Sequence, residues 1–540
     1  MKTKIILGLL IFLGFVLRIA NLNTAPPGFN ADEASLGYNA YSILKTGKDE
    51  WGQAFPLVFK SFSDYKPGLY VYLDLPFVAV LGLNELAVRL PSILLGTVSI
   101  LLIYLLSKEI FNEEAVALST AFLLAISPWH IHYSRGAWET NVATFFILLG
   151  IYSFVKSFKN QKWLWLSTTS LIASMYTYQS PRVIVPLLVI LLSLRYYKKI
   201  FLKKNIKVAL FSTLIILPFV LISFTSQGLA RFNGLSIFND PGPGLRTNVE
   251  RGEHSNPGAP QVLILHNKLI SYSTSFLSHY LDHFSPQFLF ISGDPLGRNK
   301  VPDMGQFYLF EMITILLGIY VFIRKNYPFK SIVTFWILAA PFAAALTYQT
   351  PHALRALNMV IPMTLISGLG MGSLISRINQ LKSFARSSYF AIGALVVVFF
   401  FIRFLDLYFV ELPKEYAPDW EYGFSQVMSF VNSHQNEYQK IRITDKYDQA
   451  YILTLFYTKY DPATYQASYK ESVDTKYGFS TIAQFGKFEF GPVSQNNLNT
   501  DQHILVIGSG QELQGVSDSL ETINYPNGQT AFKIVGNKGG

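Results

Sequence analysis

The stretch Leu69-Tyr70-Val71-Tyr72-Leu73-Asp74-Leu75-Pro76-Phe77-Val78-Ala79-Val80-Leu81-Gly82-Leu83 decides how the chain is threaded. It is apolar, but shorter than the roughly 20 residues a spanning helix needs, and Asp74 and Pro76 interrupt it. If it crossed a membrane, every later loop would change sides. With the stretch at the interface, one side collects Lys156/Lys159/Lys162, Arg195/Lys198/Lys199/Lys203/Lys204/Lys207, Arg324/Lys325/Lys330 and Arg377/Lys382/Arg386. Basic loops gather on the cytoplasmic side, so residues 69–83 read as an interfacial or re-entrant helix.

Composition supports a membrane reading. Of 540 residues, 50% are hydrophobic and only 14% charged, against about 25% charge in soluble domains. This excludes a disordered, fibrous or ordinary cytosolic chain. Cysteine is absent, which excludes disulfides, a thiolate nucleophile and Cys-ligated zinc or iron–sulfur sites. The net charge of +10 is uneven: residues 412–540 hold 10 Lys/Arg and 14 Asp/Glu, and the remainder hold 34 and 20. The basic excess therefore lies among the apolar segments, which argues against a nucleic-acid surface.

Ile5–Ala20, after Lys2 and Lys4, reads as an uncleaved first span with a cytoplasmic N-terminus, because no small-residue cleavage site follows. Further spans are expected near 86–107, 115–131, 141–155, 163–178, 183–195, 208–224, 308–323, 331–346, 356–375 and 388–405, eleven in all. Residues 1–405 then form a transmembrane domain with large outer loops at 21–85 and 225–307. Residues 406–540 form a small extracytoplasmic α/β domain, with a helix at Glu421–Ser433 and strands at Lys440–Thr444, His503–Ile507 and Thr530–Val535. Gly508-Ser509-Gly510 lacks a full dinucleotide fingerprint and reads as a turn. No internal or inverted repeat is visible.

Candidate chemistry gathers at the outer ends of spans. Pro26-Pro27-Gly28-Phe29-Asn30-Ala31-Asp32-Glu33 carries adjacent carboxylates, which suit a general base within reach of a hydroxyl. They equally suit the cap and first turn of a helix over Glu33–Leu44. In Asp64-Tyr65-Lys66-Pro67-Gly68-Leu69-Tyr70, Lys66 is either a compact cation for a lipid phosphate or a snorkelling interfacial lysine. Ser134-Arg135-Gly136-Ala137-Trp138-Glu139 offers a phosphate-binding Arg135 and a Glu139 that ligates a metal or orients an acceptor, or else a local i, i+4 pair. His130 and His132 read as surface histidines, since no third metal ligand accompanies them. Arg182, Arg355 and the Gly293-Asp294-Pro295-Leu296-Gly297-Arg298 stretch complete the set, each with a simpler reading as a headgroup-level cation or a turn. Their shared placement is informative: carboxylates and cations at one membrane edge suit a phosphate carried on a lipid.

In this arrangement the chain resembles the polyprenyl-phosphate-sugar-dependent glycosyltransferases of the GT-C fold, most closely the protein O-mannosyltransferase-like group, glycosyltransferase family 39. That group includes the lipid A aminoarabinose transferase and galacturonosyl transferases. Asp32-Glu33, Lys66-Pro67-Gly68-Leu69-Tyr70, Glu85-Leu86-Ala87-Val88-Arg89-Leu90-Pro91-Ser92, Ser134-Arg135 with Glu139, and Arg355 carry the likeness, over about residues 1–375. Gly68 stands where the family's second proline is usual, and Glu139 where many relatives carry Asp. The W-W-D signature of oligosaccharyltransferases is missing, so whole-glycan transfer to Asn is not expected.

The resemblance implies a single sugar moved from a polyprenyl monophosphate to a hydroxyl acceptor on protein, lipid or envelope glycan. It implies Asp32 as base with Glu33 orienting it, and Lys66, Arg135, Arg355 and Arg182 on the donor phosphate. Asp64, Glu139, Tyr70 and Asp294 are expected to orient the acceptor or the site. No cofactor or metal is assigned, and a divalent cation stays open. The rival readings are an envelope polysaccharide polymerase or ligase using diphosphate-linked glycan and, from another class, a secondary transporter. A transporter wants ionisable groups near the bilayer midplane, whereas here they gather at one face.

Overall fold

The computed structural model describes residues 1–540 apart from 63, 224, 226–233, 235, 448, 473–480, 495–502 and 538–540. Part of the loop 225–307 thus lies outside the described residues. The chain divides into two compact units. The first comprises residues 1–18, 95–134 and 139–404; the second comprises 19–94, 135–138 and 405–540. The first outer loop therefore folds with the C-terminal region.

The first unit is helical. All eleven apolar segments of the sequence fall on helices. By length and composition, five helices among the described residues can cross a membrane: Glu85–Phe111, Glu139–Ser157, Lys203–Ile222, Leu357–Ile378 and Ser383–Glu415. A sixth candidate is a bent pair. The expected continuous span over 115–131 is broken into Glu114–Ile126 and Pro128–Arg135, at 51° to each other. Proline causes the break: Pro128 has no N–H to continue the helix, and it forces Ser127 into an extended conformation (φ −58, ψ 121). The Ser127 hydroxyl then accepts from the His130 N–H at 3.3 Å, restarting the helix.

Helix contact in this unit rests on small residues. In Ser367-Gly368-Leu369-Gly370-Met371-Gly372-Ser373 the backbone of Val360–Ile378 approaches its neighbours closely. A Cβ on Gly370 would lie 1.9 Å from the Thr314 carbonyl oxygen, and one on Gly318 would lie 1.9 Å from that of Ile366. Thr314 and Ser367 hydroxyls bond at 2.7 Å across the same seam. Close backbone approach and hydroxyl bonds of this kind join apolar helices even where the hydrophobic effect does not press them together.

Helix α1 (Ile5–Ala20 in the sequence reading, Lys2–Ile19 in the structure) belongs to the first unit except for Ile19, where the second begins. Next come α2 (Ala31–Thr46), the antiparallel hairpin β1 (Val58–Ser61) and β2 (Asp64–Pro67), α3 (Leu69–Leu81) and the first residues of α4 (Glu85–Phe111). The helix α3 holds the stretch quoted at the outset, at 13 residues with Pro76 inside. The C-terminal region adds a seven-stranded sheet: β3 (Lys440–Ile443), β4 (Lys470–Glu471), β5 (Ile482–Phe485), β6 (Phe488–Phe490), β7 (Ile504–Ser509), β8 (Glu521–Asn524) and β9 (Thr530–Asn537), in spatial order 4-5-6-3-7-9-8. Strands β6, β3 and β7 run parallel at the centre and the outer pairs are antiparallel. Every residue of β7 is buried, as a strand covered on both faces requires.

Two local expectations need correction. The helix expected from Glu421 starts at Phe424, because Glu421 (φ 53) and Gly423 (φ 101) take left-handed conformations that a right-handed helix cannot include. Gly508 and Ser509, expected with Gly510 in a turn, instead end β7, and the turn comes at Gly510. Helix α2 packs on Ala450–Thr458, with Phe29 and Phe456 rings 4.6 Å apart. A Cβ on Gly37 would meet Val88 at 2.4 Å and Phe456 at 2.8 Å.

Gly370→Leu should be strongly destabilising, since the atom it strikes is a backbone carbonyl that cannot swing away; overpacking alone costs about 1–3 kcal/mol. A clear drop in the thermal midpoint of the detergent-solubilised protein is expected, against little change for Gly8→Leu, where nothing lies within 4 Å.

Candidate active site

The site in the second unit is built around the start of α2. Asn30 caps the helix, accepting from the Glu33 N–H at 3.1 Å, and Glu33 reaches back to the Asn30 N–H at 3.3 Å. The capping reading of these residues is thus satisfied by Asn30 and Glu33. Both are fully buried, and they leave Asp32, the residue between, facing outward with 35% of its side chain exposed.

A buried carboxylate needs compensation, and Glu33 receives it from a distance. Arg89 on α4 donates from Nε to Glu33 Oε1 at 2.9 Å and from Nη2 to Oε2 at 3.0 Å. The Ala137 N–H adds a bond to Oε1 at 2.8 Å. The same guanidinium donates to the Gly28 carbonyl at 2.6 Å and the Leu22 carbonyl at 3.3 Å. Arg135, also fully buried, donates to the carbonyls of Ala20 and Ala25. Glu421, from the C-terminal region, accepts from the Ala31 N–H at 2.7 Å. Residues 20–33 are therefore tied down along their length, and Asp32 is presented by a fixed backbone.

Lys66 on β2 is the partner of Asp32: its ammonium hydrogen-bonds the Asp32 carboxylate. The hairpin sets this position, pairing Lys66 with Phe59 and closing with Gly68 N–H on the Leu57 carbonyl at 3.0 Å. A Cβ at residue 68 would lie 2.5 Å from the Phe59 ring, and a proline there would lose the N–H bond. This explains the glycine in place of a second proline. Asp64 accepts from the Tyr65 N–H at 2.8 Å. Tyr70 is fully buried and donates to the Val88 carbonyl at 2.9 Å. Beside this segment lies a cavity of about 430 Å³, lined by Gly28, Phe29, Glu85, Glu421, Tyr422 and Tyr457 among others.

The remaining expected residues belong to the first unit. Asp294 is buried at a turn, where it accepts from Leu296 N–H at 2.8 Å, Asn299 Nδ2 at 3.3 Å and Ala353 N–H at 2.6 Å. Burial pushes its carboxyl up to about 6, against the opposing pull of those bonds. It thereby holds the turn that leads to Arg355, whose guanidinium reaches Thr347 Oγ1 at 2.6 Å and Gln349 Oε1 at 3.3 Å. Arg182 stacks over Phe219 at 4.6 Å. Glu139 begins the helix Glu139–Ser157.

The structure brings together Asp32 with Lys66, and Asp294 with the Arg355 turn. Two expectations change. His130 and His132 are buried rather than at the surface: His130 Nδ1 bonds Arg18 at 2.7 Å, and His132 Nε2 bonds the Arg298 carbonyl oxygen at 2.9 Å. Reading for single charges missed Arg89, Arg18 and Glu421 as organisers. An arginine within an apolar segment was the available signal for the first two.

Residues 66–222 match the family model described as dolichyl-phosphate-mannose-protein mannosyltransferase. No curated protein matches the chain in sequence. Among solved structures, the chain is similar to ArnT from Cupriavidus metallidurans bound to undecaprenyl phosphate, at 12% identity and a TM-score of 0.55, over 99% of this chain and 98% of that one. It is also similar to the oligosaccharyltransferase AglB from Archaeoglobus fulgidus in complex with an inhibitory peptide and a dolichol-phosphate, at 14% identity and a TM-score of 0.53. That match covers 85% of this chain and 63% of the archaeal one, so the chain spans less than two thirds of AglB. At these identities the likeness is one of fold. Over its length the chain thus shares the GT-C fold of these structures. The segment that opens at Lys66 is similar to the mannosyltransferase family model.

A third similar structure, the Archaeoglobus fulgidus oligosaccharyltransferase complex with Zn and sulfate (12% identity, TM-score 0.51, 98% of this chain and 72% of that one), raises a metal. Among the described residues no three His, Asp or Glu side chains converge to hold one.

Glu33→Gln or Arg89→Met should each cost about 3–5 kcal/mol, the usual penalty for orphaning one member of a buried pair. The double variant should lose less than the sum of the two, as a denaturation double-mutant cycle would read. Asp294 gives a pH signature. Its folded value lies above the usual 3.8, so its contribution favours the fold at low pH and weakens as pH rises from about 4 to about 6. Asp294→Asn should flatten that part of the stability–pH curve.

Proposed function

We propose that the chain moves one sugar from a polyprenyl monophosphate to a hydroxyl acceptor on the outer face of a membrane. The observation that carries this reading is the half-exposed Asp32 carboxylate held against Lys66 on a rigid frame, at the start of the family-matched segment. Without donor, Lys66 neutralises Asp32. A donor phosphate competes for the ammonium, and Asp32 is released to act as base. The acceptor hydroxyl attacks the anomeric carbon with inversion and gives its proton to Asp32. The bond from that carbon to the phosphate oxygen breaks, and the polyprenyl phosphate leaves with the electron pair. Lys66 stabilises the charge that develops on the leaving group; Arg355 and Arg182 keep the phosphate-binding role that the resemblance implies.

Glu33 and Arg135 serve by positioning: their polar atoms are committed to Arg89 and to backbone carbonyls, so they hold Asp32 rather than touch the phosphate. Asp64, Glu139, Tyr70 and Asp294 shape the surroundings. The polar cavity bordered by Glu85, Glu421 and Tyr457 is the candidate acceptor entrance, which gives the C-terminal region its role. The acceptor is a protein, lipid or envelope-glycan hydroxyl.

Eleven spans with a cytoplasmic N-terminus, an interfacial α3, and residues 406–540 outside complete the reading. The basic loops support it by the positive-inside rule. The domain division is 1–405 in the membrane and 406–540 outside it, with the loop 21–85 folding beneath the latter.

The test is release of free polyprenyl phosphate from a panel of polyprenyl-monophosphate sugars by the protein in lipid, with envelope extract as acceptor source. Asp32→Asn should lower turnover at least about 100-fold, the lower range for a general base, with the protein still in the membrane. Lys66→Ala and Arg355→Ala should mainly raise the donor concentration needed. Near-normal turnover in Asp32→Asn would remove it as base. Release from diphosphate-linked glycan alone would move the reading to a polymerase or ligase.

A further inference from the structure

In the first unit an apolar groove of about 620 Å³ lies between the helices Lys2–Ile19, Glu114–Ile126, Leu309–Arg324, Val360–Ile378 and Ser383–Asp406. Leu10, Phe122, Ile313, Leu374, Phe390 and Val397 are among its walls. The helix Ser383–Asp406 is scarcely held by protein: of its residues only Phe404 is buried. Gly393 faces the groove, and a Cβ there would meet nothing within 4 Å.

Cations mark one end of these helices. Lys2 and Lys4 precede the groove residue Ile6, Arg377 adjoins Ile378, and Lys382 and Arg386 precede Tyr389. All five are exposed. No Asp or Glu occurs in residues 1–18 or 371–402, and none of the five makes an ion pair among the described residues. Other basic side chains on the same side are neutralised within the protein: Lys156 and Lys159 by Glu109 at 3.0 and 2.6 Å, and Lys325 by Glu113 at 2.8 Å. The five at the groove, like Lys203, Lys204 and Lys207, have no such carboxylate partner among the described residues, and they are the ones that flank the groove's lining.

We infer that this groove is a binding site for an anionic phospholipid, with an acyl chain between the helices and the headgroup phosphate among Lys2, Lys4, Arg377, Lys382 and Arg386. Basic pockets between spanning helices recognise anionic headgroups, at about 1 kcal/mol per Lys or Arg near the surface. The bound chain replaces the protein contacts that Ser383–Asp406 lacks. The inference rests on this unit lying in a bilayer and not on the catalytic reading, so its test uses no activity.

The full chain would be reconstituted in nanodiscs of phosphatidylglycerol and phosphatidylcholine in equal parts, re-extracted in mild detergent, and weighed by native mass spectrometry. Wild-type protein should retain phosphatidylglycerol over phosphatidylcholine by about tenfold or more, on the scale above. Arg377→Gln/Lys382→Gln/Arg386→Gln should bring the two to parity. Gly393→Phe, which fills open space, should lose both lipids while eluting as a folded species, and it serves if the triple variant fails to fold. Equal retention by the wild type, or a preference that survives either variant, would overturn the inference. So would displacement of phosphatidylglycerol by added polyprenyl phosphate at equal concentration, which would give the groove to that lipid instead.

Discussion

The buried pair of Glu33 and Arg89 is the interaction on which the arrangement of the second unit depends. Removing two charges from water costs several kcal/mol per ion, and their attraction repays it only with good geometry and further hydrogen bonds. Here both conditions hold: the contact is two-pronged, at 2.9 and 3.0 Å, and the remaining capacity goes to backbone groups. Glu33 takes N–H groups of Asn30 and Ala137, while Arg89 takes carbonyls of Leu22 and Gly28. One ion pair thus joins the first loop, the start of α4 and residues 135–138, which are far apart in sequence. Such a pair contributes less to net stability than to a single arrangement, because any other arrangement strands a charge.

That specificity matters for the neighbouring residue. Asp32 sits between two buried side chains, Ala31 and Glu33, in the first turn of α2. Its backbone cannot shift without breaking the cap, the ion pair or the Glu421 bond to Ala31. The proposed role as base, which needs a hydroxyl within about 3 Å, gains from a frame that is ordered before any substrate binds. Lys66 comes from a separate element, a four-residue strand in a two-stranded hairpin. The two partners are therefore positioned independently.

The sequence was legible where structure is local. Asn30 and Glu33 form a cap at fixed spacing, the apolar runs become helices, and alternation with turn residues marked β3, β7 and β9 nearly to their ends. Asp32 and Lys66 stood out because charge beside an apolar segment is costly. Legibility failed where the deciding partner is distant. Arg135 read as a phosphate ligand or the local partner of Glu139, yet its guanidinium donates to the carbonyls of Ala20 and Ala25, more than a hundred residues earlier. His130 and His132 looked solvent-facing because nothing local shows that Arg18 and the Arg298 carbonyl oxygen receive them. The break before Pro128 was readable from proline stereochemistry, but an unbroken apolar run concealed it. The short strands β4 and β6 carry no pattern strong enough to announce them.

The two units solve the burial problem in different ways, as the proposed placement of the first in lipid and the second in water would require. The second unit uses charge: Glu33 with Arg89, Glu421 on Ala31, Tyr457 on Glu85 at 2.6 Å. The first unit relies on the Gly368/Gly370/Gly372 seam and on hydroxyl bonds such as Thr314 to Ser367, because in hydrocarbon an unpaired charge is far costlier than a missing methyl group. Where the first unit does keep charge, it keeps it at helix ends: Lys108 with Glu114 at 2.6 Å, and Lys156 and Lys159 with Glu109. The proposed transfer of a polar sugar from a lipid-borne phosphate calls for both solutions in one chain. The reactive carboxylate must be wet enough to lose its proton, and the carrier must stay in hydrocarbon. On the proposed reading, a base at Asp32, within the polar unit, meets the first of these demands.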